Sequence, residues 1–311
     1  MGIKNVLITG GTGFLGSHLV KKVLETADIV VVPTLNIRQY KPLNHHKINN
    51  KKLLLIEGNI TNSKFINQLF NEYEFDTVFH LAAISEVRKC QPNPKLAFDV
   101  NIKGTINILE ACRKYNVKSI LLSSSDKAYG SGNLPYKEDN NLNGKSIYEV
   151  SKSCMDLISR SYFYNYNLPV VITRCCNIYG PYDTNTSRII PNTIKRIKQG
   201  DNPVIWKGSE EAIREFIYVE DVVDAYLSLV KNIDKTKGEA FNIGSGCKIS
   251  MKDLVEKIIK QMNDKISIDY IGKNFPEINH QYVDASKIKK FINWKSKINL
   301  DEGLKLTINS A

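Results

Sequence analysis

Two constellations in this 311-residue sequence could do chemistry. The first is Tyr148-Glu149-Val150-Ser151-Lys152. On a helix, positions i and i+4 share a face, so the phenol of Tyr148 and the ammonium of Lys152 project together. A free phenol titrates at about pH 10 and is a poor base at neutral pH. A cation beside it favours the phenolate and turns it into a usable base. Taken alone the pattern also fits an ordinary amphipathic helix with an exposed Tyr and Lys. The second constellation is Ile8-Thr9-Gly10-Gly11-Thr12-Gly13-Phe14-Leu15-Gly16, with Gly10, Gly13 and Gly16 evenly spaced. It follows an apolar run and opens a helical pattern. Glycines there allow a tight turn, close backbone approach to a pyrophosphate and close packing of helix on strand. The helix start offers free N–H groups and a positive dipole end to the phosphates. This points to a bound dinucleotide.

The elements that must carry these groups alternate. Short apolar or β-branched runs at 5–9, 29–32, 53–56, 77–81, 119–123 and 169–173 read as strands. Helical spacing covers 14–26, 97–115 and 148–166. Such alternation implies right-handed βαβ units on a doubly wound parallel sheet, with ligands beyond the carboxyl ends of the strands where strand order reverses. After Asn177 the pattern loosens around Gly180, Pro181, Pro191, Gly200, Pro203 and Gly208. A regular strand and helix return at 215–230, and short helices are expected near 251–262 and 285–291. We therefore expect an α/β Rossmann-type unit of residues 1–174 plus about 215–245, with a smaller C-terminal substrate-binding unit of about 175–214 plus 246–311.

Composition limits the rest. Hydrophobic residues make up 42%, aromatic 9% and charged 24%, ordinary globular usage that excludes a disordered chain. No apolar run approaches the roughly 20 residues that cross a bilayer, and the N-terminus enters a strand pattern with no signal-peptide architecture, so a cytoplasmic protein with no membrane partner is expected. The 43 basic and 32 acidic residues leave a net charge of +11, but the basic residues form no stripe, so no nucleic-acid partner is expected. The six cysteines include no C-x-x-C pair, which fits reduced buried thiols and no metal site.

The glycine turn, together with Val78-Phe79-His80-Leu81-Ala82-Ala83 and Asn101-Ile102-Lys103-Gly104-Thr105, resembles the extended short-chain dehydrogenase/reductase family. Its members often read T-G-G-x-G-F-x-G, then H-x-A-A, then N-x-x-G-T. The resemblance covers nearly the whole chain and implies a tightly held NAD or NADP. It places Gly10, Thr12, Gly13, Phe14, Leu15 and Gly16 at the phosphates, and Leu81, Ala82, Ala83 and Asn101 beside the cofactor. Tyr148 and Lys152 would reach the nicotinamide ribose. Asn36, Asn59 and Ile60 fall near the adenosine end, Asn59 standing where the family commonly has Asp. No acid follows the second strand, and Arg38 is placed to meet a 2′-phosphate; NAD versus NADP stays open.

Ser125-Asp126-Lys127, 23 residues before Tyr148, narrows the reaction. In the family this strand end supplies a hydroxyl to the sugar group being oxidised, and Ser125 matches it. The two following positions are small or hydroxylated in C4 epimerases and an acid/base pair in nucleotide-sugar 4,6-dehydratases. Oxidation at C4 acidifies the C5 hydrogen; loss of water across C5–C6 then needs a base at C5 and an acid for the C6 hydroxyl. Asp126 suits the acid. Lys127 is a base only when neutral, and otherwise polarises the site. Adjacent residues on an extended chain point opposite ways, so one of the two could face away.

The triplet and Val87-Arg88-Lys89 are closest to a CDP-glucose 4,6-dehydratase-like branch. By the same resemblance Ser85, Val87 and Arg88 line the substrate. Asn177, Arg188, Ile190, Arg214 and Asn242 fall in motifs that hold the nucleotide diphosphate, where an arginine fork suits phosphate oxygens. Members commonly dimerise through the helices here at 97–115 and 148–166. The implied activity is nucleotide-diphosphate-sugar 4,6-dehydration, with C4 epimerisation as the first alternative and a non-catalytic dinucleotide sensor as the remote one.

Overall fold

The aliphatic runs become strands where both faces are covered. A computed structural model describes residues 3–38, 41–262, 265–272 and 279–311. Strands β1 (Asn5–Thr9), β2 (Ile29–Thr34), β3 (Leu53–Glu57), β4 (Thr77–His80), β5 (Ser119–Ser123) and β6 (Val170–Cys175) join β10 (Ala240–Ile243) in one parallel sheet. The order is β10-β6-β5-β4-β1-β2-β3, which reverses direction between β4 and β1. The register sets Leu7 against Val31 on one side and Val78 on the other. Val30, Val31 and Val32 are all fully buried, as expected for a strand covered on both faces.

Helices Phe14–Val23 and Val219–Lys231 cover one face through Leu19, Val20, Val222 and Tyr226. Helices Ser63–Tyr73, Gly104–Lys114 and Ile147–Tyr166 cover the other through Ile66, Phe70, Ile108 and Met155. The sequence reading leaves the first of these three unassigned. Its start is nonetheless encoded: the Asn62 side chain accepts from the Lys64 and Phe65 N–H groups, a polar N-cap. The helix expected over 97–115 is interrupted near its start by a π-helical turn, Asp99–Lys103, and continues as Gly104–Lys114.

The C-terminal unit is built on β9 (Ile213–Tyr218), which pairs with β7 (Asn177–Tyr179), β11 (Lys248–Ser250) and β13 (His280–Gln281). Beside it β8 (Val204–Trp206) pairs with β12 (Asp269–Ile271). The strand that the sequence assigns to the first unit therefore belongs to the second sheet. The reason is its alternation: Phe216 and Tyr218 enter the C-terminal core, whereas Ile217 enters the core of the first unit. Residues 286–294 also return to the first unit, where Ile288 and Trp294 are buried. All six cysteines are unpaired; Cys90, Cys112, Cys175 and Cys176 are buried and Cys154 and Cys247 half-buried. Among the described residues no helix is long and apolar enough to cross a membrane.

Candidate active site

A cleft of about 1620 Å³ opens beyond the carboxyl ends of β1, β4 and β5 and continues over the C-terminal unit. Drug-sized pockets span roughly 300–1,000 Å³, so this one has room for two ligands end to end. At one end the chain leaves β1 through Gly10, whose φ of +72° is the left-handed region. A Cβ there would lie 2.8 Å from the Ala82 nitrogen, and one on Gly16 would strike the Gly10 carbonyl. Helix Phe14–Val23 begins with no side-chain cap on its N–H groups, and Thr12, Gly13, Phe14, Leu15 and Gly16 line the cleft. Bare backbone, uncapped donors and close approach fit a pyrophosphate. Asn36, Asn59, Ile60, Leu81, Ala82 and Ala83 line the same end. Arg38 does not; it is exposed, with its N–H turned to the Asn36 side chain.

The H-x-A-A spacing has a mechanical reason. His80 is buried between Thr9 Oγ1 (2.7 Å) and Thr105 Oγ1 (3.0 Å), and burial lowers its pKa to about 3, so it stays neutral. Thr9 Oγ1 also accepts from the Ala82 N–H at 3.2 Å, fixing the Leu81–Ala83 wall. Asn101, expected beside the cofactor, is fully buried and lines no part of the cleft. Its side chain pairs with both the N–H and the carbonyl of Ile84 and donates to Ser151, tying the loop after β4 to the long helix.

At the centre lie Ser125, Asp126, Lys127, Tyr148 and Lys152, all on the cleft wall. Tyr148 and Lys152 ride the helix Ile147–Tyr166, started by a reciprocal capping box between Ser146 and Glu149. Lys152 donates to the Ser123 carbonyl at 2.7 Å and its Nζ is 6.0 Å from the Tyr148 ring centre. The sequence implies that Lys152 acidifies the phenol. In the protein by itself the balance goes the other way: burial pushes Tyr148 well above the usual tyrosine range, with the Ser125 hydroxyl opposing it, and burial lowers Lys152 to about 8.

Asp126 and Lys127 both reach the cleft because the chain leaves β5 in a tight helical turn, Asp126–Tyr129, rather than in extended form. Ser125 caps that turn by accepting from the Lys127 N–H at 3.2 Å. Its hydroxyl donates to Asp126 Oδ1 at 3.2 Å, while Oδ2 is buried with no hydrogen-bond partner. Burial raises the carboxyl to about 6; Lys127 and Ser125 pull against that shift and Glu215 adds to it.

The long helix is anchored one turn beyond Lys152. Asp156 takes a bidentate pair from Arg174, at 2.8 and 3.0 Å, with both side chains essentially unexposed. Arg174→Ala would strand the carboxylate, and a loss of about 3–5 kcal/mol in urea unfolding is expected. A loss below about 1 kcal/mol would show that the pair does not hold the helix.

On the substrate side Ser85, Val87, Arg88, Asn177, Arg188, Ile190 and Arg214 line the cleft. Arg188 pairs with Asp183 at 2.8 Å and its guanidinium lies 5.6 Å from the Phe14 ring centre. Arg214 donates to the carbonyls of Ile213 and Asn279, each at 3.0 Å, and Asn177 to that of Glu215. Asn242 is the exception: fully buried, it accepts from the Tyr129 hydroxyl and donates to the Tyr136 and Asp284 carbonyls, a joint behind the site. Sequence reasoning missed Trp206, an indole 40% exposed in the cleft wall with the Arg88 guanidinium 5.2 Å from its ring centre. In sequence it ends a short apolar run, Val204-Ile205-Trp206, that reads as an ordinary strand and gives no sign of a ligand wall.

A glycine turn at the switch point of a parallel sheet, facing a Ser/Tyr/Lys set, defines an extended short-chain dehydrogenase/reductase. Comparison with known proteins agrees: the family model described as GDP-mannose 4,6 dehydratase matches residues 7–307, and the chain belongs to this nucleotide-sugar dehydratase/epimerase family. A human dTDP-D-glucose 4,6-dehydratase is 30% identical over 317 residues, covering 98% of this chain and 89% of its own. The structure of a UDP-glucose 4-epimerase from Thermotoga maritima, solved with UDP-glucose, superposes with a TM-score of 0.90 at 29% identity over 98% of each chain. A dTDP-glucose 4,6-dehydratase from Bacillus anthracis, solved with NAD, gives 0.88 at 26% identity, covering 99% of this chain and 96% of that one.

Proposed function

We propose that this enzyme is a nucleotide-diphosphate-sugar 4,6-dehydratase. The observation that carries the reading is Asp126, a buried carboxyl raised to about 6 on the cleft wall within reach of Ser125. A C4 epimerase has no step that needs a protonated carboxyl; elimination does, because the C6 hydroxyl must leave as water.

The lining of the glycine turn suits a dinucleotide. NAD or NADP held there would supply the hydride acceptor for C4 and a positive charge that the buried phenol otherwise lacks. Tyr148 takes the C4 hydroxyl proton, with Ser125 holding the same hydroxyl. Lys152, donating to the end of β5, orients the phenol's surroundings. The 4-ketone acidifies C5–H. Lys127 faces the same space and is our candidate for handling that proton, while Asp126 protonates the departing C6 hydroxyl. A hydride given back to C6 by the reduced dinucleotide, with the proton given back to C5 from the side on which Lys127 lies, would complete a 4-keto-6-deoxy sugar, so one water is lost and no net oxidation occurs.

The arginines of the C-terminal unit fit a diphosphate, and Trp206 beneath Arg88 offers an apolar face to a nucleobase. Base stacking on an aromatic side chain is worth about 1–3 kcal/mol. Trp206→Ala is therefore expected to raise KM for the nucleotide sugar about tenfold with kcat and dinucleotide affinity unchanged; an unaltered KM would remove the indole from the substrate site. We further place the enzyme in the cytoplasm, where unpaired thiols are stable. As a homodimer it would pair through the helix Ile147–Tyr166, whose Leu157, Tyr164 and Tyr166 are exposed. Light scattering at the monomer mass would remove the dimer.

Incubating the protein with GDP-mannose, dTDP-glucose, UDP-glucose and CDP-glucose, each with added NAD or NADP, tests the reaction class. A 4-keto-6-deoxy product from one of them is expected; a C4 epimer as sole product would overturn the assignment.

A further inference from the structure

We infer that Gln281, 154 residues from Lys127 in sequence, is a positioning residue for the Asp126–Lys127 pair; the inference rests on the reading of that pair given above. Gln281 is fully buried and lines no part of the cleft. Its Oε1 accepts from Lys127 Nζ at 3.3 Å. The carboxamide presents its oxygen to Lys127, which turns Nε2 the other way. There Nε2 is buried without a hydrogen-bond partner. A buried donor left unpaired costs about 1–3 kcal/mol, and Leu or Met would fill the same space without that cost. Packing alone gives no reason for an amide here. Its side-chain hydrogen bond is to Lys127, the one residue of the turn whose long stem would otherwise move.

The backbone around Gln281 is fixed from two sides. Gln281 lies in register with Arg214 on β9, and the next-but-one N–H, that of Val283, donates to Glu215 Oε2 at 2.8 Å. Glu215 Oε1 accepts from the Gly246 N–H at 2.7 Å, so the carboxylate staples three segments. On the other side the Tyr136 N–H donates to the Tyr282 carbonyl at 3.0 Å, and the Asp284 N–H to the Tyr136 carbonyl at 2.8 Å. The carboxamide thus sits on a rigid strand of the C-terminal unit and reaches a turn that leaves the first unit's sheet. A lysine side chain carries about 2 kcal/mol of rotamer entropy, which a fixed acceptor removes before substrate arrives. The consequence is a Lys127 Nζ held at the cleft wall that Asp126 shares, by a residue that does not line the cleft.

The test is a double-mutant cycle on the full-length enzyme with cofactor, using Gln281→Met, which keeps length and volume but loses the acceptor, and Lys127→Met. Whichever of the four nucleotide sugars the wild type converts is the probe. Gln281→Met is expected to lower kcat for elimination by about 10- to 100-fold, the scale of a misplaced catalytic group, with KM and single-turnover C4 oxidation at 340 nm within about threefold of wild type. In the Lys127→Met background the same change should cost nothing further. Gln281→Glu keeps an acceptor oxygen and should recover most of the rate; it also serves as the second variant if Gln281→Met melts early. Equal losses from Gln281→Met with and without Lys127 would overturn the inference while leaving the dehydratase reading intact. If instead Lys127→Met eliminates water at the wild-type rate, or the wild type yields only a C4 epimer, the parent reading fails and the role of Gln281 falls with it.

Discussion

Tyr148→Phe is expected to cut turnover by about 10²- to 10⁴-fold, the usual value of a positioned acid–base group, while dinucleotide remains bound. The phenol is 7% exposed, packed with Cys90 and Ala97, and its hydroxyl is the group that differs between Tyr and Phe. The glycine turn and the Leu81–Ala83 wall are untouched by the change, so cofactor affinity has no reason to move. Burial holds the phenol protonated in the protein alone, so catalysis depends on a positive charge brought beside it, and the loss should appear in C4 oxidation as well as in product formation. Single-turnover absorbance at 340 nm checks this. A variant that reduces cofactor at the wild-type rate would place the base elsewhere.

Asp126→Asn is expected to separate the two halves of the reaction. C4 oxidation needs Ser125 and Tyr148, and should persist within a factor of a few. Elimination needs a proton for the C6 hydroxyl, and should fall by about 10²- to 10⁴-fold. Asn is close to isosteric, and burial already raises the cost of the anion at this position, so the fold should tolerate the change. The same carboxyl sets a pH limb. Its pKa is raised to about 6, so it is protonated below that value and loses its proton as pH rises through it. Elimination should therefore decline tenfold per unit above about pH 6, and this limb should vanish in Asp126→Asn. A rate that instead climbs through pH 6 would make Asp126 a base. A variant that still eliminates water at full rate would remove it from the chemistry.

What could be read from the sequence follows from distance along the chain. The aliphatic runs of β1, β2 and β5 are buried on both faces, so each reads as a strand without knowledge of its neighbours. Gly10–Gly16 and Tyr148–Lys152 are local geometries, and the structure brings their side chains to one cleft. Asp126 and Lys127 were ambiguous because an extended exit from β5 would have separated them. The short helical turn capped by Ser125 keeps both on one side, and a serine two residues before a turn N–H is a readable cap. Motif spacing does not reveal that the side chains of Asn101 and Asn242 are buried away from the cleft. Both are polar residues in short patterns, and nothing local says whether the side chain faces a ligand or a neighbouring loop. Asn242 answers to Tyr129 and Tyr136, more than a hundred residues away. Trp206 and Gln281 were illegible for the same reason: the pairing of β8 with β12 and of β13 with β9 delivers them to the cleft region, and these pairings are decided by the packed C-terminal unit. Near residue 215 the sequence reading could not anticipate that β9 feeds two cores, one from each face.

The fate of the hydrogen at C4 tests the whole account most directly. The nucleotide sugar that the enzyme converts would be supplied with deuterium at C4, and the product examined by NMR and mass spectrometry. A dehydratase that returns the same hydride delivers that deuterium to the C6 methyl group of a 4-keto-6-deoxy sugar. Deuterium still at C4, on a carbon of inverted configuration with the C6 hydroxyl intact, would contradict the account.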